Sequence, residues 1–161
     1  MRIFVHDWVH QSLRLRYPST VRLVLDTSVI VSAFRSRYGA SRFLIEAFDD
    51  GRITMLISQA LFTEYESVLK RPEQIAVHGA SHTEVDEFLA DLANRAARVS
   101  CHYRIRPQLR DPDDDMVLET AVNGVADAIV THNIRDFLPE SSRFNMPIWT
   151  PRHIIEMRLR R

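Results

Sequence analysis

The chain has 161 residues, 21 basic and 21 acidic groups, and a formal net charge of zero. That length holds one domain with a continuous core and is too short for two comfortable ones. With 45% apolar and 26% charged residues, the composition is that of an ordinary globular protein rather than a disordered or fibrous one, and the charge balance names no class of partner. No stretch approaches the roughly 20 apolar residues of a membrane span, so no membrane association is expected. The first residues, with His6, Asp7, His10 and Arg14 among them, lack the apolar centre of a secretion signal. Cys101 is the only cysteine, which excludes an intramolecular disulfide and favours a reducing, cytoplasmic setting; its apolar flanks point to a core thiol. Lys70 is the only lysine. Arginine's planar fork suits phosphate, but a base bias in the coding DNA gives the same excess.

Residues 1–20 fit the remainder poorly. They contain Trp8 and end in Tyr17-Pro18-Ser19-Thr20, ahead of a strand that normally opens a domain of this kind. They read as an appendage. Either they are a translation artefact, with Val21 as the true start, or they form an amphipathic helix that docks on the domain or on a partner. The domain itself is expected over 21–161.

Val21 to Leu25 are mostly branched and apolar, which predicts a strand buried on both faces. Asp26 then falls at the strand's carboxyl end, where open α/β sheets bind ligands. Thr27 or Ser28 is expected to cap a helix over Val29 to Phe34; the plain alternative is that Asp26 itself only helps to cap it. Ser41 to Asp50 reads as a helix closed by Gly51, and Ile53 to Ile57 as a second buried strand. Ser58 caps a helix through Lys70 that stops before Pro72. On it Leu61, Tyr65 and Val68 form the core face, Glu64 lies at that face's margin and Glu66 points away. A salt bridge to an arginine is the structural alternative for Glu64. Residues 72–79 are read as a loop, Ser81 to Glu84 as a capping box opening a helix to about Ala97, and Arg98 to Tyr103 as a third strand. An arginine-rich connection to Arg110 follows.

Asp111 as cap and Pro112 at the first helical position start the next helix, whose acids suit the positive end of its dipole. Val117, Leu118 and Ala121 set its apolar face, with Asp114 at the upper end of the core side and Asp113 and Asp115 solvated. Gly124 ends it. A strand over Ala128 to Val130 leads into Thr131, Asn133 and Asp136, again beyond a strand end. Pro147 to Trp149 is a last strand, and Thr150 and Pro151 open a terminal helix.

Strands alternating with helices predict an α/β fold, a three-layer α/β/α sandwich with a mainly parallel central sheet. On that scaffold Asp26, Glu64, Asp114 and the Asn133/Asp136 pair can meet in one pocket. Carboxylates gathered without cations repel. A hard divalent cation with oxygen ligands, Mg²⁺ or Mn²⁺, removes that penalty and serves phosphodiester hydrolysis.

Leu25-Asp26-Thr27-Ser28-Val29, Glu64-Tyr65, Asp111-Pro112-Asp113-Asp114-Asp115, and Ala126-Asp127-Ala128-Ile129-Val130-Thr131 followed by Asn133 and Asp136-Phe137 resemble the PIN-domain family. More closely they resemble its branch of toxins from VapC-type toxin–antitoxin systems, from Val21 to about Pro151. The resemblance implies a Mg²⁺- or Mn²⁺-dependent endoribonuclease, often a homodimer, silenced by an antitoxin protein whose tail enters the acidic groove. It assigns metal binding to Asp26, Glu64, Asp114 and Asn133, and catalysis to the same three acids with Asp136 as a further acid or water-orienting group. Thr27, Ser28, Asp111 and Thr131 would orient ligand or phosphate. Ser28 stands where asparagine is common and Asn133 where aspartate is, which leaves one-metal and substrate-completed two-metal schemes open.

Two rivals stand beside this. An aspartyl-nucleophile phosphohydrolase, as in haloacid-dehalogenase-like enzymes, needs a second acid two residues after Asp26, where Ser28 lies. A binding module for RNA or a partner, with a degenerate site, is the other. Asp26→Asn and Asp114→Asn are expected to abolish cleavage, whereas Asp113→Asn and Glu66→Gln change little. Arg35, Arg37, Arg42, Arg110 and Arg135 are candidates to offset the groove acids on RNA.

Overall fold

The computed structural model describes residues 20–105, 112–138 and 140–159. The expected appendage, the connection through Arg110 and the Asp111 cap lie outside them. The elements run β1 (Val21–Leu25), α1 (Thr27–Arg35), α2 (Ala40–Asp49), β2 (Ile53–Ile57), α3 (Gln59–Leu69), α4 (Pro72–His78), α5 (His82–Arg95), β3 (Ala97–Arg98), α6 (Pro112–Asn123), β4 (Ala128–Val130), α7 (Ile134–Phe137), α8 (Glu140–Arg143), β5 (Ile148–Trp149) and α9 (Pro151–Ile154), with a π-helical turn over Ile155–Leu159.

Leu23, Val24 and Leu25 of β1 are all fully buried, as are Ala128, Ile129 and Val130 of β4. Successive strand residues point to opposite faces, so runs of buried residues require cover on both sides. The sheet order is β3-β2-β1-β4-β5 with every pair parallel, and the architecture is the expected three-layer α/β/α sandwich. From β1 the chain builds outward through β2 to β3, then returns to lay β4 against the other side of β1. The boundary between β1 and β4 is therefore the topological switch point, where the carboxyl ends of the strands open a crevice.

Several expectations need correction. Residues 72–79 are the helix α4 rather than a loop: Pro72 starts it and Gly79, at φ 70°, ends it, so the same two residues that look like loop punctuation act as helix start and stop. The third strand is only Ala97–Arg98, because the chain after Val99 leaves the sheet and lies across α6. Thr27 and Ser28 are helical, and Asp26 holds the N-cap position without a side-chain capping bond. Cys101 is half-buried instead of in the core.

Helix α6 departs most from its sequence reading. Val117, Leu118 and Ala121 are buried as expected, but so are Asp115 and Glu119, at 1% and 5% exposure. The assumption of one apolar face fails because α6 is covered twice, by the sheet on one side and by residues 102–105 on the other. Glu119 Oε1 accepts from Ile105 N at 2.8 Å, and Asn123 Oδ1 accepts from His102 N and Tyr103 N at 3.0 and 2.9 Å. Glu119 and Asn123, four residues apart, thus face the covering strap and take its backbone N–H groups, and Asp115 lies one turn earlier on the same stripe.

The end of α6 separates two roles usually combined in one glycine. Val125 N bonds Val122 O at 3.3 Å and Ala126 N bonds Ala121 O at 2.9 Å, a Schellman closure whose left-handed residue is Val125, at φ 50°. Gly124 is needed for space: a Cβ there would lie 2.8 Å from Val99 Cγ2 and 2.9 Å from Thr120 O. Val125→Gly is therefore expected to raise unfolding free energy by about 1 kcal/mol, and Gly124→Ala to lower it by about 1–3 kcal/mol. Urea denaturation of the two variants checks both signs.

Candidate functional site

Asp26 N donates to Val130 O at 2.9 Å, which locks the first residue beyond β1 to the last residue of β4. The Asp26 side chain is 5% exposed and sits at the switch point. Its Oδ2 accepts from Ser28 Oγ at 2.5 Å and from Thr131 Oγ1 at 2.7 Å. Thr131 is itself fully buried and its Oγ1 accepts from Asn133 N at 2.9 Å, while Ser28 Oγ accepts from His132 N at 3.3 Å. Two hydroxyls with their protons committed, each held by a backbone N–H of the segment that follows β4, fix one carboxylate oxygen. The other oxygen accepts no hydrogen bond among the described residues. No buried polar side-chain atom there is left unpaired, so Oδ1 reaches the surface of the crevice. The carboxylate is thus oriented for something outside the helix rather than spent on a cap.

The helix that carries Glu64 is pinned to the same strand end. Tyr65, fully buried, donates its hydroxyl to Leu25 O, the carbonyl just before Asp26. Burial and the nearby negative charge of Asp26 push the Tyr65 phenol well above its usual pKa, so it stays a neutral donor. Tyr65 was legible in the sequence only as a core residue; nothing in the spacing marks its second task. Glu64 is half-buried, at the margin of the α3 core face as expected, and Glu66 pairs with Lys70 at 2.7 Å on the surface. Helix α6 packs on α3 and on β1, β2 and β4, and Ser58 Oγ lies 2.7 Å from Thr120 Oγ1. Asp114 occupies the first turn of α6 and is half-buried.

The structure therefore joins Asp26, Ser28, Thr131 and the Asn133 backbone directly, and brings the helices of Glu64 and Asp114 together on β1. It does not close a three-acid cluster: among the described residues no group of three His, Cys, Asp or Glu side chains stands close enough to hold a metal. Thr27 is half-buried at the first position of α1, and Asn133 and Asp136 are exposed beyond β4. The donor chemistry fits a hard cation, since every candidate ligand is an oxygen and the anchoring carboxylate is held with one oxygen outward. Of the rim arginines, Arg35 bonds Gln74 and Arg42 pairs with Glu46. Arg104, missed in the sequence, is exposed on the strap.

Among the described residues no helix is long and apolar enough to cross a membrane. A family model described as PIN domain matches residues 22–135, more than half of the chain. Among solved structures the chain is similar to one in the crystal structure of VapBC2 from Rickettsia felis bound to a DNA fragment from their promoter, with a TM-score of 0.54 and 14% identity over 81% of this chain and 98% of that one. No curated protein matches. The acid at the switch point, its two hydroxyl partners and the family match agree: this chain belongs to the PIN-domain family.

Proposed function

We propose that this protein is a divalent-metal-dependent endoribonuclease, the toxin of a toxin–antitoxin pair. The observation that carries the reading is Asp26, a carboxylate at the switch point with one oxygen fixed by Ser28 and Thr131 and the other turned to the crevice. PIN domains are generally nucleases, and the similar chain from the VapBC2 assembly supports an antitoxin partner. In this reading Asp26, Glu64 and Asp114 hold Mg²⁺ or Mn²⁺, with Asn133 as a neutral oxygen ligand. The cation, when bound, supplies charge neutralisation at the phosphate and activation of the attacking water. Ser28 and Thr131 keep the Asp26 carboxylate from rotating, so its outward oxygen is presented in one direction. Asp136, exposed beyond β4, orients the water, Thr27 hydrogen-bonds the phosphate, and Asp111 helps to orient the ligand. A homodimer in the cytoplasm, neutralised by a small antitoxin protein, completes the proposal.

The test is to incubate the purified protein with single-stranded RNA and Mn²⁺, with and without excess chelator. Cleavage that disappears with chelator and returns with Mn²⁺ is expected. RNA binding without cleavage would instead favour a non-catalytic binding module, and chelator-insensitive cleavage would point to a contaminant.

A further inference from the structure

A cavity of about 430 Å³ opens beyond the carboxyl ends of β2 and β3, and a second of about 350 Å³ shares its walls at Ser58, Gln59, Val99 and Ser100. The first is large enough for a small ligand. Because β2 pairs in register with β1 (Leu23↔Met55), the cavity lies on the same edge of the sheet as Asp26. Strand spacing puts the two on the order of 5–10 Å apart, the reach of a neighbouring nucleotide.

The joint lining of the two cavities has two parts. Val99, common to both, and the half-buried Phe62 of the second offer apolar surface for the flat face of a base, and the Gln59 amide and Ser100 hydroxyl, common to both, offer donors and acceptors for its edge. Arg104 lines the mouth. It makes no hydrogen bond or ion pair among the described residues, whereas Arg42, Arg52, Arg95, Arg143 and Arg152 each pair with an acid. The wall that carries Arg104 is built rather than loose: Glu119 and Asn123 hold the backbone N–H groups of residues 102, 103 and 105 on either side of it.

We infer that these two adjoining cavities together bind the nucleotide next to the scissile bond of a single-stranded RNA, reading its base between Val99, Phe62, Gln59 and Ser100 while Arg104, on the wall of the first, holds its phosphate. The inference rests on the ribonuclease reading and adds a specificity site to it. Base-edge contacts discriminate, and the Arg104 contact adds affinity that weakens with salt.

The experiment compares wild type with Arg104→Ala and with Ser100→Trp, which fills the cavity from an exposed position. Cleavage ends on a randomised single-stranded RNA and the affinity of a fluorescent RNA are both read. A nucleotide preference beside the cut in wild type is expected to be lost in Ser100→Trp. In both variants KM and the RNA dissociation constant rise about tenfold, with kcat and Mn²⁺ binding little changed. If wild type cleaves and both variants keep its preference and KM, the cavity has no such role and the nuclease reading stands. If wild type does not cleave, the affinities decide: weaker RNA binding by both variants keeps the cavity and removes the nuclease reading, and equal or absent binding overturns the cavity as well.

Discussion

Asp26→Asn is expected to lower metal-dependent RNA cleavage by at least about 100-fold while leaving the fold intact. Asparagine has the same shape, and its amide oxygen can accept the hydrogen bonds that Ser28 and Thr131 now give to Oδ2. What disappears is the negative charge and the outward oxygen that a hard cation requires. In metal-free buffer the variant should melt at the same temperature as wild type or higher, because a charge that is 5% exposed no longer has to be kept from water. Glu66→Gln provides the contrast. Its carboxylate pairs with Lys70 at the surface, where such pairs contribute about 0–1 kcal/mol, so activity and stability should both stay near wild type. Circular dichroism melts alongside the cleavage assay separate loss of chemistry from loss of fold.

The second large effect is on stability. Asn123 Oδ1 accepts from His102 N and Tyr103 N, and its Nδ2 donates to Tyr103 O and Glu119 O at 2.9 and 2.8 Å. One side chain therefore ties α6 to the strap that covers it. Asn123→Ala removes four hydrogen bonds at once, each with a net contribution of about 0.5–1.5 kcal/mol. Partial solvent access at the strap reduces the sum, so a loss of roughly 2–3 kcal/mol is expected, or a melting point lower by about 5–10 °C for a chain of this size. The strap also carries Arg104, so KM for RNA should rise in this variant more than kcat falls. A melt within 1–2 °C of wild type would mean that the strap is held by something other than Asn123.

The parts of the fold that the sequence made legible share one property: their signals are local. The β1 and β4 strands announce themselves as short apolar runs with an abrupt polar end, and Ser58 and Ser81 open helices through capping bonds that are present in the structure. What escaped depends on distant chain segments. Asp115 looks solvated because nothing in its own helix says that it will be covered, and the tie of Glu119 to the backbone of residue 105 is equally invisible there. The short β3 looks longer because Arg98 to Tyr103 has strand-like composition, yet the Asn123 and Glu119 acceptors draw the chain away after Val99. At the site, Asp26 and Thr131 stood out by their position after strands. Their direct bond could only follow from the sheet order, which puts β4 rather than β3 beside β1. The second task of Tyr65 was hidden for the same reason, since its acceptor is 40 residues away.

The most direct test of the account is Mn²⁺ binding measured by electron paramagnetic resonance of free Mn²⁺, without any RNA present. Wild type should remove Mn²⁺ from solution with saturable stoichiometry, Asp26→Asn should bind at least about tenfold more weakly, and Glu66→Gln should match wild type. Undiminished Mn²⁺ affinity in Asp26→Asn would contradict the claim that the outward oxygen of this carboxylate is what the crevice offers to a cation.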